Sequence, residues 1–324
     1  MDATNDVLVK IENLKKYFDI KDNKGRKGTL KAVDDVSFEI QRGETFGLVG
    51  ESGCGKSTLG RSLLNLYPIS GGDILFDGKS VTKLNKKEKK EFCFQSQLVF
   101  QDPSACLNPR NRIGQILAEP FKIHYGSKMS KQDMIRRIDE LLDLVGLASD
   151  YKDRYPHEMS GGQKQRIGIA RALALDSQLI VCDEPVSALD VSIQAQVINL
   201  LVELQAKLNL TYLFISHDLG VVYHICKRIA VMYLGKIVEI ADKEDLYNDT
   251  CHPYTKALIS AAPTIDGEDK ERILLTGDVP NPSKPPTGCK FHTRCPRASE
   301  RCKNEEPKLK KHKENHFVAC HLYT

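Results

Sequence analysis

A glycine-rich segment of nine residues lies between a short apolar run and a predicted helix, and it constrains the fold more than any other feature. The segment consists of Gly50, Glu51, Ser52, Gly53, Cys54, Gly55, Lys56, Ser57 and Thr58. The apolar run Thr45–Val49 predicts a strand, and residues 59–66 predict a helix. This order is that of a phosphate-binding loop, whose glycines let backbone N–H groups turn towards a polyphosphate. We therefore expect a nucleotide here, with Lys56 on its β- and γ-phosphates and Ser57 on magnesium.

Length and composition set the broad class of the chain. At 324 residues the chain exceeds one average domain, so we expect one large domain and an appendage. A formal net charge of +4 is too small to indicate a nucleic-acid partner. No apolar stretch approaches the ~20 residues that span a bilayer, and the polar residues 1–6 do not resemble a secretory signal. We expect a cytosolic chain whose ten cysteines stay reduced or bind metal.

The hydrophobic pattern predicts an α/β fold. Alternating apolar residues at 7–14 and 32–40 predict antiparallel strands before the phosphate-loop strand, and residues 71–78 predict a further strand bounded by turns. Residues 113–147 have helical periodicity, and residues 191–207 predict a helix between two buried strands. Those strands, residues 179–182 and 212–215, are continuous apolar runs, which favours parallel strands covered on both faces.

Two acids follow the predicted strand at residues 179–182. Asp183 is placed to hold magnesium through water, because magnesium keeps most of its hydration shell. Glu184 is a candidate general base, since it would have to lie within hydrogen-bond reach of an attacking water. An acid pair after a strand is by itself often a solvated strand end, but its combination with the phosphate loop favours the catalytic interpretation.

The order of the motifs resembles that of the ATP-binding cassette (ABC) family. A second glycine turn opens a predicted helix and offers further N–H donors to an anion. The motifs that carry the resemblance are the phosphate loop, Gln101, the turn Ser160-Gly161-Gly162-Gln163, the pair Asp183-Glu184, residues 187–190 and Ser216-His217-Asp218. Met159 departs conservatively from the leucine that usually begins the family's signature.

The resemblance implies a fold and a division of the chain. The fold would be a phosphate-loop cassette with a RecA-like parallel core sheet, an antiparallel β subdomain and a helical subdomain. The cassette would occupy residues 1–252, with its core in residues 1–101 and 164–252 and its helical subdomain in residues 102–163. Residues 253–324 would form a C-terminal extension with a linker and a small cysteine-rich site.

The resemblance also implies roles for individual residues. Members of this family pair two cassettes head to tail around two ATP molecules and hydrolyse them. The residues that would act on the ATP held by the partner are Ser160, Gly161, Gly162, Gln163 and Asp190. Gln101 would join Ser57 and Asp183 at magnesium, and His217 would stabilise charge on the γ-phosphate.

The residue that stacks under the adenine is also carried over from the family. Counting along the family's first strand gives Phe18, with Tyr17 as the near alternative. Either ring can instead be a core residue, since an aromatic side chain in a strand is usually packed against neighbours.

Finer features resemble the ATPases of oligopeptide and dipeptide permeases, in particular the F-type subunit. These features lie in residues 100–103, 107–109, 114–120, 183–196, 231–235 and 252–254. The resemblance implies an importer ATPase at the cytoplasmic face of the cell membrane, with residues 103–121 docking the membrane subunits. Its partners would be a non-identical second ATPase, two transmembrane permease subunits and an extracytoplasmic substrate-binding protein. An importer of nickel or another small solute, and a regulatory nucleotide-binding module without transport, are the alternatives.

Four cysteines near the C-terminus form a candidate metal site. A proline-rich stretch, residues 263–286, is interpreted as a linker to it. The four are Cys289, Cys295, Cys302 and Cys320. Four thiolates suit tetrahedral zinc or an iron–sulfur cluster, and free thiols are a third interpretation. The family resemblance favours a structural 4Fe–4S cluster over zinc, with His292 and His321 as spare ligands.

Overall fold

The computed structural model describes residues 6–21, 25, 27–261 and 273–323. The polar residues at the N-terminus and the first half of the predicted linker lie mostly outside the described residues. The chain forms two compact units. The first unit comprises the described residues of Met1–Lys83 and Phe214–Thr324, and the second comprises Leu84–Leu213.

The secondary structure alternates between strands and helices along the chain. The strands are β1 (Val7–Lys21), β2 (Lys27–Gln41), β3 (Thr45–Val49), β4 (Gly71–Phe76), β5 (Lys79–Ser80), β6 (Ser96–Val99), β7 (Leu179–Asp183), β8 (Thr211–Ser216), β9 (Arg228–Tyr233), β10 (Lys236–Asp242), β11 (Lys310–Lys313) and β12 (His316–Val318). The helices are α1 (Lys56–Leu63), α2 (Lys86–Gln95), α3 (Pro103–Cys106), α4 (Ile113–His124), α5 (Lys131–Leu144), α6 (Gly161–Ala172), α7 (Val191–Leu208), α8 (Leu219–Ile225), α9 (Lys243–Asn248), α10 (Pro253–Ser260) and α11 (Glu300–Asn304). Among the described residues, no helix has the length and apolar character needed to cross a bilayer.

The first unit contains an antiparallel sheet with strand order β2-β1-β4-β5. Its long strands β1 and β2 pair through apolar residues, with Val9 opposite Ile40 and Ile11 opposite Phe38. These four side chains are buried. The two antiparallel strands predicted before the phosphate loop are confirmed as β1 and β2, which are both longer than their apolar patterns indicated. The further predicted strand is β4.

A second, mixed sheet of the first unit includes β3, β9, β10, β12 and β11, in that order. β3 and β9 are parallel, whereas β10 pairs antiparallel with both β9 and β12. All five residues of β3 are buried. α8 packs closely on this strand, since a Cβ on Gly47 would lie 2.9 Å from side-chain atoms of Val222 and Cys226. The predicted parallel core sheet was therefore incomplete, because β10, β12 and β11 extend it with antiparallel strands.

The second unit combines the parallel strands β6 and β7 with α2 to α7. The predicted helical region 113–147 consists of two helices, α4 and α5, joined by a short 3-10 turn at Gly126–Lys128. α5 begins after Ser130, whose Oγ accepts a hydrogen bond from the Asp133 N–H. This N-cap starts a new helix and explains why one periodic stretch folds as two.

Candidate functional site

The phosphate loop joins β3 to α1 in the first unit. Gly50 and Gly55 have φ angles of +153° and +111°. A Cβ on Gly50 would lie 2.2 Å from the Met232 carbonyl oxygen, and one on Gly55 would lie 2.0 Å from the Ala32 carbonyl oxygen. Both clashes involve backbone atoms, so glycine is required at these two positions. α1 begins at Lys56 without a side-chain cap, which leaves its first-turn N–H groups oriented for an anion.

Lys56 and Cys54 are the buried side chains of the loop. Lys56 is only 4% exposed, and its Nζ donates to the carbonyl oxygens of Gly50 at 2.7 Å and Glu51 at 3.1 Å. The ammonium group therefore lies at the beginning of the loop. Burial raises the pKa of the Cys54 thiol, so this thiol is neutral at physiological pH and is a packing residue rather than a nucleophile.

Glu51 is held by its backbone and by its side chain. Its N–H donates to the Tyr254 hydroxyl at 2.9 Å, and its carbonyl oxygen accepts from Lys56. Arg294 Nη1 and Nη2 donate to the two carboxylate oxygens of Glu51 at 2.8 and 3.1 Å. Sequence reasoning missed both distant partners, because Tyr254 and Arg294 lie 203 and 243 positions away and belong to no local motif.

The two candidate aromatic residues lie next to each other in β1 and have different surroundings. The Tyr17 hydroxyl donates to Asp34 Oδ1 at 2.5 Å, which fixes this side chain. The Phe18 ring meets the edge of Tyr67 at a centroid distance of 5.7 Å. The Lys16 ammonium lies 4.5 Å from the centre of the Phe18 ring. Phe18 is half-buried, so part of its ring surface is accessible.

His217 follows β8 in the first unit and is exposed. The backbone on its C-terminal side is fixed by Asp218, whose Oδ1 caps α8 by accepting from the Val221 N–H at 3.2 Å. The Asp218 N–H in turn donates to the Ser216 hydroxyl at 3.0 Å. The turn around His217 is therefore defined by hydrogen bonds, while the residue itself lies at the surface.

In the second unit, Gln101 and Glu184 meet at the end of β7. Gln101 Nε2 donates to Glu184 Oε2 at 3.0 Å, across 83 positions of sequence. The Ser187 hydroxyl donates to the Glu184 carbonyl oxygen at 3.1 Å. Glu184 has a φ of +48°, which is uncommon for a residue with a side chain. The preceding Asp183 is 2% exposed, so the strand end combines a buried carboxylate with a partly exposed, hydrogen-bonded one.

The Ser-Gly-Gly turn is the capped start of α6. The Ser160 Oγ accepts from the Gln163 N–H at 3.3 Å, and the Gln163 side chain accepts from the Ser160 N–H at 3.0 Å. This reciprocal pair is a capping box. Ser160 and Gly161 are exposed, whereas Gly162 is buried against Ile193, where a Cβ would lie 2.5 Å from Ile193 Cγ2. The Ser160 side chain and the Gly161 backbone are therefore exposed at the start of α6.

Asp190 occupies the N-cap position of α7 and is exposed. The turn before it is held by Gln194, whose Nε2 donates to the carbonyl oxygens of Val186 at 3.1 Å and Leu189 at 3.0 Å. The structure therefore presents Asp190 on an ordered surface turn of the second unit.

The four C-terminal cysteines belong to the first unit and lie near one another. The Cys289 N–H donates to the Cys302 carbonyl oxygen at 2.8 Å. Burial raises the pKa of the Cys289 thiol to about 11, and the neighbouring Cys302, Cys320 and Cys295 thiols contribute to this increase. The structure thus brings together residues that are widely spaced in sequence. His292 is tied to this segment, with Nδ1 2.9 Å from the Cys289 carbonyl oxygen.

A second buried group, Glu239, Cys251 and His316, was not identified from the sequence. Among the described residues, these three are the group whose potential metal-ligand atoms all lie within 4.8 Å of one another. Glu239 and His316 are fully buried and lie 2.8 Å apart, from Oε1 to Nε2. The Glu239 carboxylate also accepts from the Cys251 and His252 N–H groups at 2.7 and 3.0 Å. The carboxylate is thus well hydrogen-bonded, which favours a structural role in joining β10 to β12.

Comparisons with known proteins agree with this architecture. The ABC transporter family profile matches residues 33–187, and the profile of the oligopeptide/dipeptide transporter C-terminal region matches residues 238–302. The oligopeptide transport ATP-binding protein AppF of Bacillus subtilis is 51% identical to this chain in an alignment of 328 positions that covers 99% of each chain. The oligopeptide transport ATP-binding protein OppF of Haemophilus influenzae is 50% identical and covers 97% of each chain.

Solved structures show the same fold. The dimeric ATP-binding cassette MJ0796, in a post-hydrolysis state with ADP and Pi, superposes with a TM-score of 0.65 at 27% identity. The match covers 72% of this chain and 98% of that one.

Fold, motifs and matches together define an ABC ATPase, which hydrolyses ATP for transport. The chain belongs to the ATP-binding proteins of the oligopeptide/dipeptide ABC transporter family. The resemblance seen in the sequence is therefore confirmed at the level of the family.

Proposed function

We propose that this chain is the ATP-hydrolysing subunit of an importer of oligopeptides or dipeptides, bound to the cytoplasmic face of the cell membrane. The observation that carries the proposal is the phosphate loop. Backbone clashes require Gly50 and Gly55, and Lys56 is buried at the first position of a helix without a side-chain cap. Similarity to AppF and OppF over nearly the whole chain supplies the solute class. Both are named as oligopeptide transport proteins, which favours peptides over nickel and transport over regulation.

In the first unit, residues 50–58 hold the triphosphate. Lys56 exchanges its two carbonyl partners for phosphate oxygens, because a charged acceptor forms a stronger hydrogen bond than a neutral one. Ser57 supplies one magnesium ligand, and His217 stabilises charge on the γ-phosphate. Phe18, whose ring is partly accessible, stacks under the adenine, and Tyr17 is the alternative.

In the second unit, Gln101 and Asp183 supply oxygen ligands to magnesium and Glu184 is the general base. The Gln101 amide donates through Nε2 to Glu184, so its oxygen is the atom that remains for a cation. The same hydrogen bond orients the carboxylate that receives the proton of the attacking water. When bound, Mg²⁺ neutralises charge on the transferred phosphoryl group.

A second, non-identical ATPase completes the nucleotide sites. Ser160 and Gly161 are exposed at the start of α6, and Asp190 is exposed at the start of α7. With Gly162 and Gln163 they form the surface that acts on the partner's ATP. Two transmembrane permease subunits and an extracytoplasmic substrate-binding protein complete the transporter, with residues 103–121 as the docking region for the membrane subunits.

The cysteine-rich segment holds a structural 4Fe–4S cluster. Its ligands are Cys289, Cys295, Cys302 and Cys320, whose thiols lie near one another. The family resemblance favours a four-iron cluster over a single zinc ion, and the cluster would supply a cross-link to a segment with little apolar core.

Glu184→Gln tests the assignment of the general base in the assembled transporter. The variant should bind ATP and close on its partner but lose about 100-fold or more in turnover, because general-base catalysis contributes about 100- to 10,000-fold. Turnover at the parental rate would remove Glu184 from this role.

The partners and the solute are tested by affinity purification from membranes. A transport ATPase should be recovered with two integral membrane subunits and a second ATPase, and uptake of labelled di- and oligopeptides should require it. Recovery without membrane subunits would favour the regulatory module, and uptake of nickel without peptide uptake would favour the metal importer.

Metal analysis tests the cluster. Protein purified without oxygen should be brown and contain about four irons per chain. Zinc as the stoichiometric metal would contradict the assignment.

A further inference from the structure

The phosphate loop is linked to the cysteine-rich segment by a buried ion pair. Arg294 lies at the end of a 3-10 turn, His292–Arg294, and only 7% of its side chain is exposed. Its two terminal nitrogens donate to the two carboxylate oxygens of Glu51, at 2.8 and 3.1 Å. A bidentate pair fixes direction as well as distance, because the planar guanidinium matches the carboxylate. The position of Glu51 in the loop is therefore set by a residue from the C-terminal region.

The pair also has an electrostatic consequence. Glu51 is the second residue of the phosphate loop, and its carbonyl oxygen already binds Lys56. A carboxylate at this place repels a polyphosphate, and the repulsion is strong where solvent is partly excluded. The Glu51 side chain is 26% exposed. Arg294 compensates its negative charge and holds both carboxylate oxygens on its guanidinium group.

The position of Arg294 depends on the fold of the cysteine-rich segment. The Arg294 N–H donates to the Phe291 carbonyl oxygen at 3.0 Å, and the His292 N–H donates to that of Cys289 at 3.1 Å. Phe291 is 1% exposed and packs at the edge of Tyr233, with ring centroids 5.3 Å apart. Cys295 follows Arg294 directly, and its N–H donates to the His292 carbonyl oxygen at 3.4 Å, so the turn that carries the guanidinium is continuous with the cysteine-bearing backbone.

We propose that Arg294 is a positioning residue for the phosphate loop, and that through it the cysteine-rich segment sets the affinity of the loop for ATP. This inference rests on the proposed function, in which the phosphate loop holds the triphosphate. It predicts that ATP affinity depends on the contact between Arg294 and Glu51, and on the cysteines that hold Arg294 in place.

The first test is a set of equilibrium titrations of the full-length chain with Mg-ATP. Arg294→Gln should raise the Kd about tenfold, which is a loss of about 1.4 kcal/mol of binding free energy. Glu51→Gln in the same chain should recover most of this loss, because it removes the uncompensated charge. Arg297→Ala is the matched control, since it changes an exposed arginine of the same segment and should leave the Kd unchanged.

The recovery separates positioning from a general loss of stability. A variant that merely destabilised the fold would lower the melting temperature and would not regain affinity when Glu51 is also changed. An unchanged Kd for Arg294→Gln, or a double variant as weak as the single one, would overturn the inference. Lys56→Ala tests the proposed function separately, because it should abolish ATP binding. Unaltered ATP binding in that variant would show that the phosphate loop does not hold the triphosphate.

A second arm tests the connection to the cysteines with the same binding measurement. Cys302→Ser should raise the Kd in the parental chain but add nothing in the Arg294→Gln background, because both changes act through one contact. Effects that multiply in the double variant would contradict this part of the inference. If Cys302→Ser does not fold, the comparison of Arg294→Gln with its Glu51→Gln double variant still decides the proposal.

Discussion

The phosphate loop and the Ser-Gly-Gly turn both place glycines at the start of a helix, but the two turns require glycine for different structural reasons. Gly50 and Gly55 adopt positive φ angles that residues with side chains rarely adopt. Gly162 instead leaves room for a neighbour, since a Cβ there would lie 2.5 Å from Ile193 Cγ2. The helix after the phosphate loop has no side-chain cap, whereas Ser160 takes part in a complete capping box. The start of α1 therefore has no side-chain cap, whereas the start of α6 is capped by its own residues and is exposed at the surface.

The largest expected difference between the two turns appears when one glycine in each is replaced by alanine. Gly55→Ala places a Cβ 2.0 Å from a backbone oxygen at a φ of +111°, which should cost about 3 kcal/mol or more and abolish ATP binding. Gly161→Ala is the matched change, because its Cβ would lie 3.4 Å from Leu189 Cδ2, an accommodating side chain.

Gly161→Ala should fold normally and bind ATP in the isolated chain like the parent. Equilibrium ATP binding and thermal unfolding of both variants measure the difference. Equal losses in the two variants would show that the two turns use glycine for the same reason, which would break the comparison.

The N-terminus of α10, whose Tyr254 contacts the phosphate loop, should give a smaller effect: a dependence of the stability of the fold on pH. His252 Nδ1 caps α10 by accepting from the Tyr254 N–H at 3.1 Å, and burial lowers the pKa of His252 to about 4 from 6.5. The unfolded chain binds this proton more readily, so stability should fall as the pH drops from about 6.5 to 4. A pKa difference of this size corresponds to at most about 3 kcal/mol.

His252→Asn keeps a cap acceptor and removes the titration. Urea unfolding at pH 7 and pH 5 should show a smaller loss of stability in the variant than in the parent. Because the Tyr254 hydroxyl accepts a hydrogen bond from the Glu51 N–H, the affinity for ATP should also fall between pH 7 and pH 5, and it should fall less in the variant than in the parent. An identical pH slope in parent and variant would place the acid sensitivity elsewhere.

The smallest expected effect is on the capped turn. Ser160→Ala removes one half of the capping box and should cost about 1 kcal/mol of stability, with ATP binding to the isolated chain unaltered. In the assembled transporter the same variant should hydrolyse ATP more slowly, because in the proposed function the Ser160 hydroxyl acts on the partner's nucleotide. Crosslinking in the presence of vanadate should trap position 160 beside the phosphate loop of another chain, and failure to do so would contradict the head-to-tail arrangement.

The sequence predicted what is encoded locally and missed what is encoded at long range. The phosphate loop and the start of α6 depend on neighbours within a few positions, such as Gly55 before Lys56 and Ser160 before Gln163, so their patterns are legible. The pair Glu51–Arg294 joins common residue types 243 positions apart. No local pattern distinguishes such an arginine from a solvated one.

The same reasoning explains the errors in the fold. β12 is only three residues long, and its pairing with β10 is strengthened by the buried contact between Glu239 and His316. Such a short strand carries almost no periodic signal. The break between α4 and α5 was legible in principle, because Ser130 followed by Asp133 is a helix-start signal within the periodic stretch.

The outermost strand of the mixed sheet has a consequence for how the chain behaves before it meets its partners. β11 reads Lys-Lys-His-Lys, and all four residues are exposed. An unpaired strand edge is a template for aggregation, and lysines along it discourage another chain from adding on. Here the apolar strand β10 is covered first by β12, and the cationic β11 follows it. The cationic β11 thus protects this edge of the mixed sheet against pairing with a strand of another chain.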